Sequence, residues 1–544
     1  MDKHHEQSIR KIRSRYPTYL GDKIMHSNIG KALSLTLLSV SLLTASVTAL
    51  AQETHDLVIV NGRVIDPETG LDAVRNVGIK DGSIAAISEF PLTGATTINA
   101  KGQVVAPGWI DLHAHGQEIG ALRMQAMQGV TTALELESGL LPIGDWYTAE
   151  AKKPHPINYG AAAAWTFARI QATTGTEAKA DLGWFQSMFA NHDWQNSIST
   201  PEQQKEILAL LEQAIKEGAI GVGVNAGYAP GNGQKEYFAV AQLAAKYNVP
   251  TFTHVRYASV PEPKSSFEAV KELVSNAALA GAHMHLCHIN STSMRDIDST
   301  LPLVLNAQKD GFRVSVGAYP YGAAGTTVGA EMFRGDGWQV RMGGTKYSDF
   351  ELNGKRLDEK TFNDLQANSP GTIITWHYLD AENPVDLAKL DASVANLNVA
   401  IESDAMPWVV NGKNYDGDAW PLPEGAFAHP RSNGSFAKVL RFWVRERGVL
   451  SLSDAVKKMS LMPAQILEES VPQMRKKGRI QVGMDADIVV FDLEKVADKS
   501  TFTEPNQPAV GFDYVIVDGE FVVYKGKLKT DAAPGKAIRR PVTQ

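Results

Sequence analysis

A single cysteine, Cys287, stands in a chain of 544 residues. No internal disulfide and no cysteine-based zinc cluster can form, so a metal site has to be built from histidine and carboxylate. Long basic runs are absent as well. With 53 Lys and Arg against 60 Asp and Glu the formal net charge is −7, which excludes the electrostatic footprint of a nucleic-acid-binding protein. No Gly-rich phosphate fingerprint follows an apolar run, which argues against a doubly wound nucleotide-binding sheet. Only residues 33–50 form an apolar run approaching the length of a membrane span.

That run follows Lys31 and closes on Thr48-Ala49-Leu50-Ala51-Gln52, the small-x-small pattern of a cleaved leader. Residues 1–51 are therefore expected to be a signal peptide cut after Ala51. Residues 1–24 are long and polar for a leader, and Met25 offers a better-proportioned start. No cysteine follows the run, which argues against a lipoprotein. The mature protein is expected to be exported, periplasmic or secreted, with no stable membrane anchor.

What is present is ordinary globular composition, 44% hydrophobic and 21% charged, arranged in two regimes. Residues 52–103 read as short strands (56–60, 64–66, 77–80 and 84–87) separated by the turn signals Asn61-Gly62, Glu68-Thr69-Gly70 and Asp81-Gly82. Residues 471–544 resume that pattern, with strands at 486–491 and 514–523 and a hairpin at Asp518-Gly519. Both chain ends are expected to join in one small β-sandwich. Between them, residues 104–470 alternate apolar strands (104–113, 130–137, 157–165, 219–224, 250–255, 283–288, 312–319 and 398–403) with amphipathic helices at 201–217, 237–247 and 266–280. Eight β units in such alternation predict a (β/α)8 TIM-type barrel. Residues 138–156 and 171–200 are expected to be helical decoration. Residues 322–395 are too long for a connection and read as an insertion lying over the barrel mouth as a partial lid.

Barrel enzymes collect their functional residues at strand C-termini. Those ends carry His113 and His115, Glu137, His254, His288 and Asp404. In Asp111-Leu112-His113-Ala114-His115 the two imidazoles stand two residues apart, on one face of a strand, which is half of a metal site. Four histidines and two carboxylates suit divalent ions such as Zn²⁺, one or two per chain. Glu137, nearer the strand end, is the expected ligand, with Glu135 the runner-up; Glu402 shares the parity of Asp404 and is a weaker candidate. His283 and His285 have the opposite parity to His288 and are expected to face the helices. Cys287 reads as a buried core thiol.

These residues in this order resemble the amidohydrolase superfamily. Glu402-Ser403-Asp404-Ala405-Met406-Pro407, His429-Pro430-Arg431-Ser432-Asn433-Gly434-Ser435-Phe436, Gly478-Arg479-Ile480-Gln481-Val482-Gly483-Met484-Asp485-Ala486-Asp487 and Tyr319-Pro320-Tyr321 narrow the resemblance to the N-acyl-D-amino-acid deacylase (D-aminoacylase) family, including its N-acyl-D-glutamate-specific members. The likeness covers roughly residues 55–530. It implies a barrel-plus-sandwich fold with an insertion after the seventh strand and a zinc site. It places His113, His115 and Asp404 with one metal and His254 and His288 with the other. It also implies substrate-binding roles for Arg431, as an α-carboxylate clamp, and for Tyr228 and Tyr319. The chain departs from the family in three places. A Glu replaces the cysteine that many members carry at the end of strand 2, Asn290 replaces a substrate-binding lysine, and strand 4 has no lysine to bridge two metals.

The resemblance implies metal-assisted hydrolysis of N-acyl-D-amino acids, small-molecule substrates, with Asp404 as general base and then acid. N-acyl-D-glutamate is one option, for which Arg256 is the cation available to a distal carboxylate. Competing readings are an exported dipeptidase acting on X-D-amino acid bonds and a cyclic-amide hydrolase of hydantoinase or dihydroorotase type. A non-catalytic binding protein on this scaffold would be expected to have lost ligands, and the full set is present.

Overall fold

The computed structural model describes residues 54–543. The expected signal peptide lies outside them. Among the described residues no helix is long and apolar enough to cross a membrane.

The barrel is an eight-stranded sheet whose strands follow one another in chain order. They are Trp109–Asp111, Val130–Leu140, Asn158–Ala164, Val222–Asn225, Thr251–His254, Met284–Leu286, Val314–Ala318 and Ala400–Ile401. Every hydrogen-bonded neighbour pair is parallel, as the alternation of strands and helices predicts. Side chains alternate between two apolar layers. Met284, Leu286, Val314 and Val316 pack outward with Val270, Leu273 and Val304 of the surrounding helices. Ile110, Leu134, Ala162, Phe252, Cys287 and Ala400 fill the interior, plugged by Ile466, Leu467 and Val471.

Local chemistry sets the helices. Pro201–Lys216 begins with a reciprocal capping box between Thr200 and Gln203 and has Pro201 in its first turn. Its Ile207, Leu211 and Ile215 recur every fourth residue and are buried, each worth roughly 1.5–3 kcal/mol. Ser266–Ala280 is capped by Ser265 and stopped by Gly281 in the left-handed region.

The ring closes at a seam between its first and last strands. Ala405 N donates to His113 O at 3.2 Å, and His115 N donates to Ala405 O at 2.8 Å. Ser403 N donates to Asp111 Oδ1 at 3.0 Å, and the Ser403 hydroxyl donates to the same carboxylate. The seam therefore brings His113 and His115 against Asp404, close to 300 residues away along the chain.

Both chain ends share a nine-stranded sheet. Ile488 and Val490 pack with Leu57, Ile59, Val77 and Ile516 in the sheet's own core, while Val489 and Phe491 join the larger core beside the barrel, the two-residue period of a strand buried on both faces. Asp81-Gly82 and Asp518-Gly519 make two-residue hairpins, both residues of each at positive φ. Asn61-Gly62 does not turn the chain. Thr54–Asp66 is one strand with a bulge there, and Asn61 has φ 62°. The bulge redirects the strand from pairing with Thr93–Asn99 to pairing with Val104–Pro107. The expected strand 104–113 is likewise two elements, Val104–Pro107 in this sheet and Trp109–Asp111 in the barrel.

Residues after the seventh strand build a four-stranded antiparallel sheet containing Ala323–Thr327 and Ile373–His377. The final helix of this stretch, Pro384–Val394, packs beside Ile297–Lys309 in the outer layer.

Candidate metal centre and active-site cleft

Five side chains converge on the Glu137 carboxylate. Its Oε2 lies 3.4 Å from His113 Nε2 and 3.7 Å from His115 Nε2. Its Oε1 lies 2.7 Å from His288 Nε2 and 3.3 Å from His254 Nδ1, and Asn225 Nδ2 donates to Oε2 at 2.9 Å. Asp404 Oδ1 stands 3.3 Å from the Nε2 atoms of both His113 and His115. Potential ligand atoms of His113, His115 and Asp404 form one compact group, and those of His113, Glu137 and His288 form another.

Glu135 stands behind this centre. Its Oε2 lies 3.0 Å from His115 Nδ1. An ionised carboxylate only accepts, so His115 Nδ1 carries the proton and a neutral ring presents a lone pair at Nε2. Glu402 Oε1 faces His113 Nδ1 at 3.6 Å, beyond hydrogen-bond reach, and that nitrogen has no hydrogen-bond partner among the described residues. His113 Nε2 and His115 Nε2 stand 3.0 Å apart, close enough for one cation to be shared between them. The donors, imidazole nitrogen and carboxylate oxygen, are those of a borderline divalent ion. A third compact group, His113 with Cys287 and Glu402, is less suited to a metal, because burial pushes the Cys287 thiol well above its usual range.

Two of these positions break the strand pattern. His288 has φ 32° and Asp404 φ 51°, left-handed conformations that are strained for residues with a Cβ. This is why the parity argument placed His285 wrongly. The sixth strand ends at Leu286, so His285 and Cys287 keep the inward parity and His288 reaches the centre only because the chain turns out of register. His285 does not face the helices. It is buried and directs Nε2 toward Glu402 Oε2 at 3.4 Å. His283, on the same side of the strand, bonds the Ser315 hydroxyl at 2.9 Å. These two histidines are the groups that alternation counted back from His288 misplaces. The apolar Met284 and Leu286 between them are the signal that reveals their inward direction.

The groups named for substrate contact separate into three situations. Tyr228 lines the cleft, with its hydroxyl 3.0 Å from Thr326 Oγ1 and its ring beside His254. Tyr319 is buried between His288 and the Arg431 guanidinium, whose Cζ lies 4.7 Å from the ring centroid. Arg431 itself is 0% exposed. Its Nε donates to Asp404 O at 2.6 Å, and its Nη2 lies 2.8 Å from Asp404 Oδ2 and 3.3 Å from Gly325 O. Only Nη1 lacks a partner, so a two-nitrogen clamp on a substrate carboxylate is not available while the Asp404 pair holds. Asn290 stands outside the cleft lining, its amide donating to Tyr319 O at 2.9 Å and to the Tyr378 hydroxyl at 2.9 Å. Arg256 is also committed, to Glu272 through Nε and Nη2 and to two backbone carbonyls through Nη1.

The cleft above the centre is walled by both decorations. Leu182, Phe185 and Phe189 come from one side, and Met332, Ile373 and Trp376 from the insertion. Among the described residues no lysine or arginine lines it.

Burial and neighbouring charges shift the protonation equilibria of this cluster. Burial opposes ionisation of Glu137, but the charges of His113, His288 and His254 hold it well below the usual carboxylate range. Burial likewise opposes ionisation of Asp404, and the Arg431 charge outweighs it and lowers that group. Burial disfavours the His115 imidazolium, yet the Glu135 charge and a hydrogen bond to Asp404 raise it from 6.5 to about 9. A raised histidine stabilises the fold fully below its unfolded value, and that contribution is lost as pH rises through the folded value. The unfolding temperature of chelator-treated protein is therefore expected to fall between pH 6.5 and about 9. A flat or rising profile over that interval would contradict the pairing.

The comparisons with known proteins agree with this architecture. The sequence profile of the Amidohydrolase family matches residues 96–344 and 365–523. An N-acyl-D-glutamate deacylase from Alcaligenes xylosoxydans xylosoxydans is 27% identical over 513 residues, covering 90% of this chain and 97% of that protein. A D-aminoacylase from the same organism is 27% identical over 518 residues, covering 89% and 98%. The crystal structure of an N-acyl-D-glutamate deacylase from Bordetella bronchiseptica, complexed with zinc and a phosphonate inhibitor, shares the fold with TM-score 0.69 at 22% identity, over 90% of this chain and 100% of that one. A parallel barrel with histidines and acids gathered at its mouth, matched by one family profile on both sides of its insertion, leaves a single assignment: the chain belongs to the amidohydrolase family.

Proposed function

We propose that this protein hydrolyses the amide bond of N-acyl-D-amino acids, releasing a carboxylate and the free D-amino acid, with Zn²⁺ as its metal. The observation that carries the reading is one carboxylate, Glu137, standing among four histidines while Asp404 faces two of them. His113, His115, Glu137, His254, His288 and Asp404 would hold the metal. When bound, the ion supplies Lewis acidity and lowers the pKa of water to roughly 7.

The chain's own residues do the rest. Asp404 has two differently employed oxygens. Oδ2 is tied to Arg431, and Oδ1 faces the histidines. Oδ1 is the atom that accepts the proton of the attacking water and returns it to the leaving nitrogen. Arg431 keeps that carboxylate in its strained conformation and ionised. The Tyr228 hydroxyl, at the cleft wall, is a donor for the substrate carbonyl or carboxylate. No lysine lies on the fourth strand, Val222–Asn225; Asn225 supports Glu137 there instead, which disfavours the lysine-bridged chemistry of a cyclic-amide hydrolase.

The wall of the cleft bears on the side chain. Against Phe185, Phe189, Met332 and Trp376 a distal carboxylate meets no cation among the described residues of the cleft lining; the arginines lie in the adjoining cavity beyond Ala258 and Met332, where Arg256 is already paired with Glu272. A neutral, apolar D-amino acid fits that wall better than D-glutamate. An exported location is part of this reading and rests on residues 1–51.

The test is a paired panel of N-acetyl-D- and N-acetyl-L-amino acids with the zinc-loaded and metal-free protein. Zinc-dependent cleavage confined to the D series is expected, with kcat/KM for D-leucine or D-phenylalanine at least ~100-fold above D-glutamate, the cost of desolvating an unpaired charge. Equal rates on D-glutamate would reject the apolar preference. No cleavage of either series by metal-loaded protein would move the assignment to a dipeptidase on X-D-amino acid bonds.

A further inference from the structure

Below the proposed metal centre runs a chain of polar groups, buried at Glu402 and His285 and half-buried at Ser315 and His283, that the reaction itself does not use. Glu402 is 0% exposed and lies on the far side of His113 from Asp404. Its Oε1 accepts from the His288 backbone N–H at 2.5 Å and faces His113 Nδ1 at 3.6 Å. Its Oε2 lies 3.4 Å from His285 Nε2. His285 Nδ1 lies 3.0 Å from the Ser315 hydroxyl, which lies 2.9 Å from His283 Nε2.

The protons can be placed without conflict. The carboxylate only accepts, so His285 carries its proton on Nε2 and its Nδ1 accepts from Ser315. The same hydroxyl then accepts from His283 Nε2–H. The inner pair of this network, Glu402 and His285, is buried, and Ser315 and His283 continue it, half-buried, to the lower mouth of the barrel. Its carboxylate reaches both halves of the site, facing the His113 ring at 3.6 Å and accepting from the backbone of His288, the strained residue. Gly317 makes the room. A Cβ at that position would lie 2.3 Å from Glu402 Oε2, so the seventh strand has to be bare of a side chain where the carboxylate sits.

We propose that Glu402, braced by His285 and Ser315, is the positioning residue that sets the orientation of His113 and the turn at His288 for metal loading. This rests on the reading of the histidine cluster as a metal centre, and it is tested without substrate. Zn²⁺ affinity is measured by competition with a chromogenic chelator, and geometry by the visible absorption of the Co²⁺-loaded protein. Glu402→Gln is expected to weaken Zn²⁺ binding by about 10–100-fold, the usual effect of losing an outer partner of a metal-binding histidine, and to shift the Co²⁺ bands. Gly317→Ala keeps the charge but displaces the carboxylate, and is expected to act in the same direction. Should Glu402→Gln fail to fold, Ser315→Ala, which deletes one hydroxyl two groups away from His113, carries the test with an expected several-fold loss of affinity. Folded variants with native Zn²⁺ affinity and unchanged Co²⁺ spectra would overturn the proposal. A native protein that binds zinc but cleaves no N-acyl-D-amino acid would instead count against the hydrolase reading and leave this one standing.

Discussion

Asp404→Asn is expected to lower kcat by about 10²–10⁴-fold, the range for removing a positioned general acid–base, with a smaller change in KM. The asymmetry of the side chain is the reason. Oδ1 faces the two histidine Nε2 atoms at 3.3 Å, where a reacting water would sit, while Oδ2 is held by Arg431 at 2.8 Å. An amide keeps the shape and loses the ability to take a proton. The same substitution strands the buried Arg431 charge, whose carboxylate partner is Asp404. Breaking a buried ion pair from one side costs about 3–5 kcal/mol, so the variant is also expected to unfold at lower temperature. Steady-state kinetics at a temperature where circular dichroism shows native structure, with metal content measured on the same sample, separates the two effects. Near-native turnover by folded, metal-loaded Asp404→Asn would remove Asp404 from the proton-transfer step.

The largest effect on metal content is expected at Glu137. It is the one carboxylate whose oxygens face both histidine pairs, Oε2 toward His113 and His115 and Oε1 toward His254 and His288. Glu137→Gln halves its acceptor capacity and removes the charge that balances three of those rings. Zn²⁺ affinity should fall by more than the ~100-fold ceiling for losing an outer-shell partner, and activity with it. Glu135→Gln, which only frees the Nδ1 side of His115, should stay within 10–100-fold. Elemental analysis after dialysis against a defined zinc buffer checks both. If the order were reversed, Glu135 would be the ligand and Glu137 the support.

Much of this was legible along the chain. Eight apolar runs alternating with amphipathic segments specify a parallel barrel, because periodicity and capping act within a few residues. Thr200 with Gln203, Gly281 after its helix, and the Asp-Gly hairpins need no tertiary information. His113 and His115 announce a metal site for the same reason: two residues apart on a strand is a local relation. Where local signals misled, a distant partner had overruled them. Asn61-Gly62 is a turn signal used as a bulge, since the strand it interrupts must reach two different neighbours. His288 and Asp404 leave strand parity at positive φ, and alternation cannot foresee a residue that stops alternating.

The sequence by itself determined the alternation of barrel strands and helices and the residue types that gather at the barrel mouth. Only the tertiary structure decided that Glu402 and His285 lie beyond His113, that Arg431 is spent on Asp404, and that the cleft wall is apolar. Each of those depends on closure of the ring between Asp111 and Ser403 and on two walls drawn from residues 182–189 and 324–376. Contacts between segments hundreds of residues apart are selected by burial and charge balance in the closed fold, and leave no periodic trace in the chain that makes them.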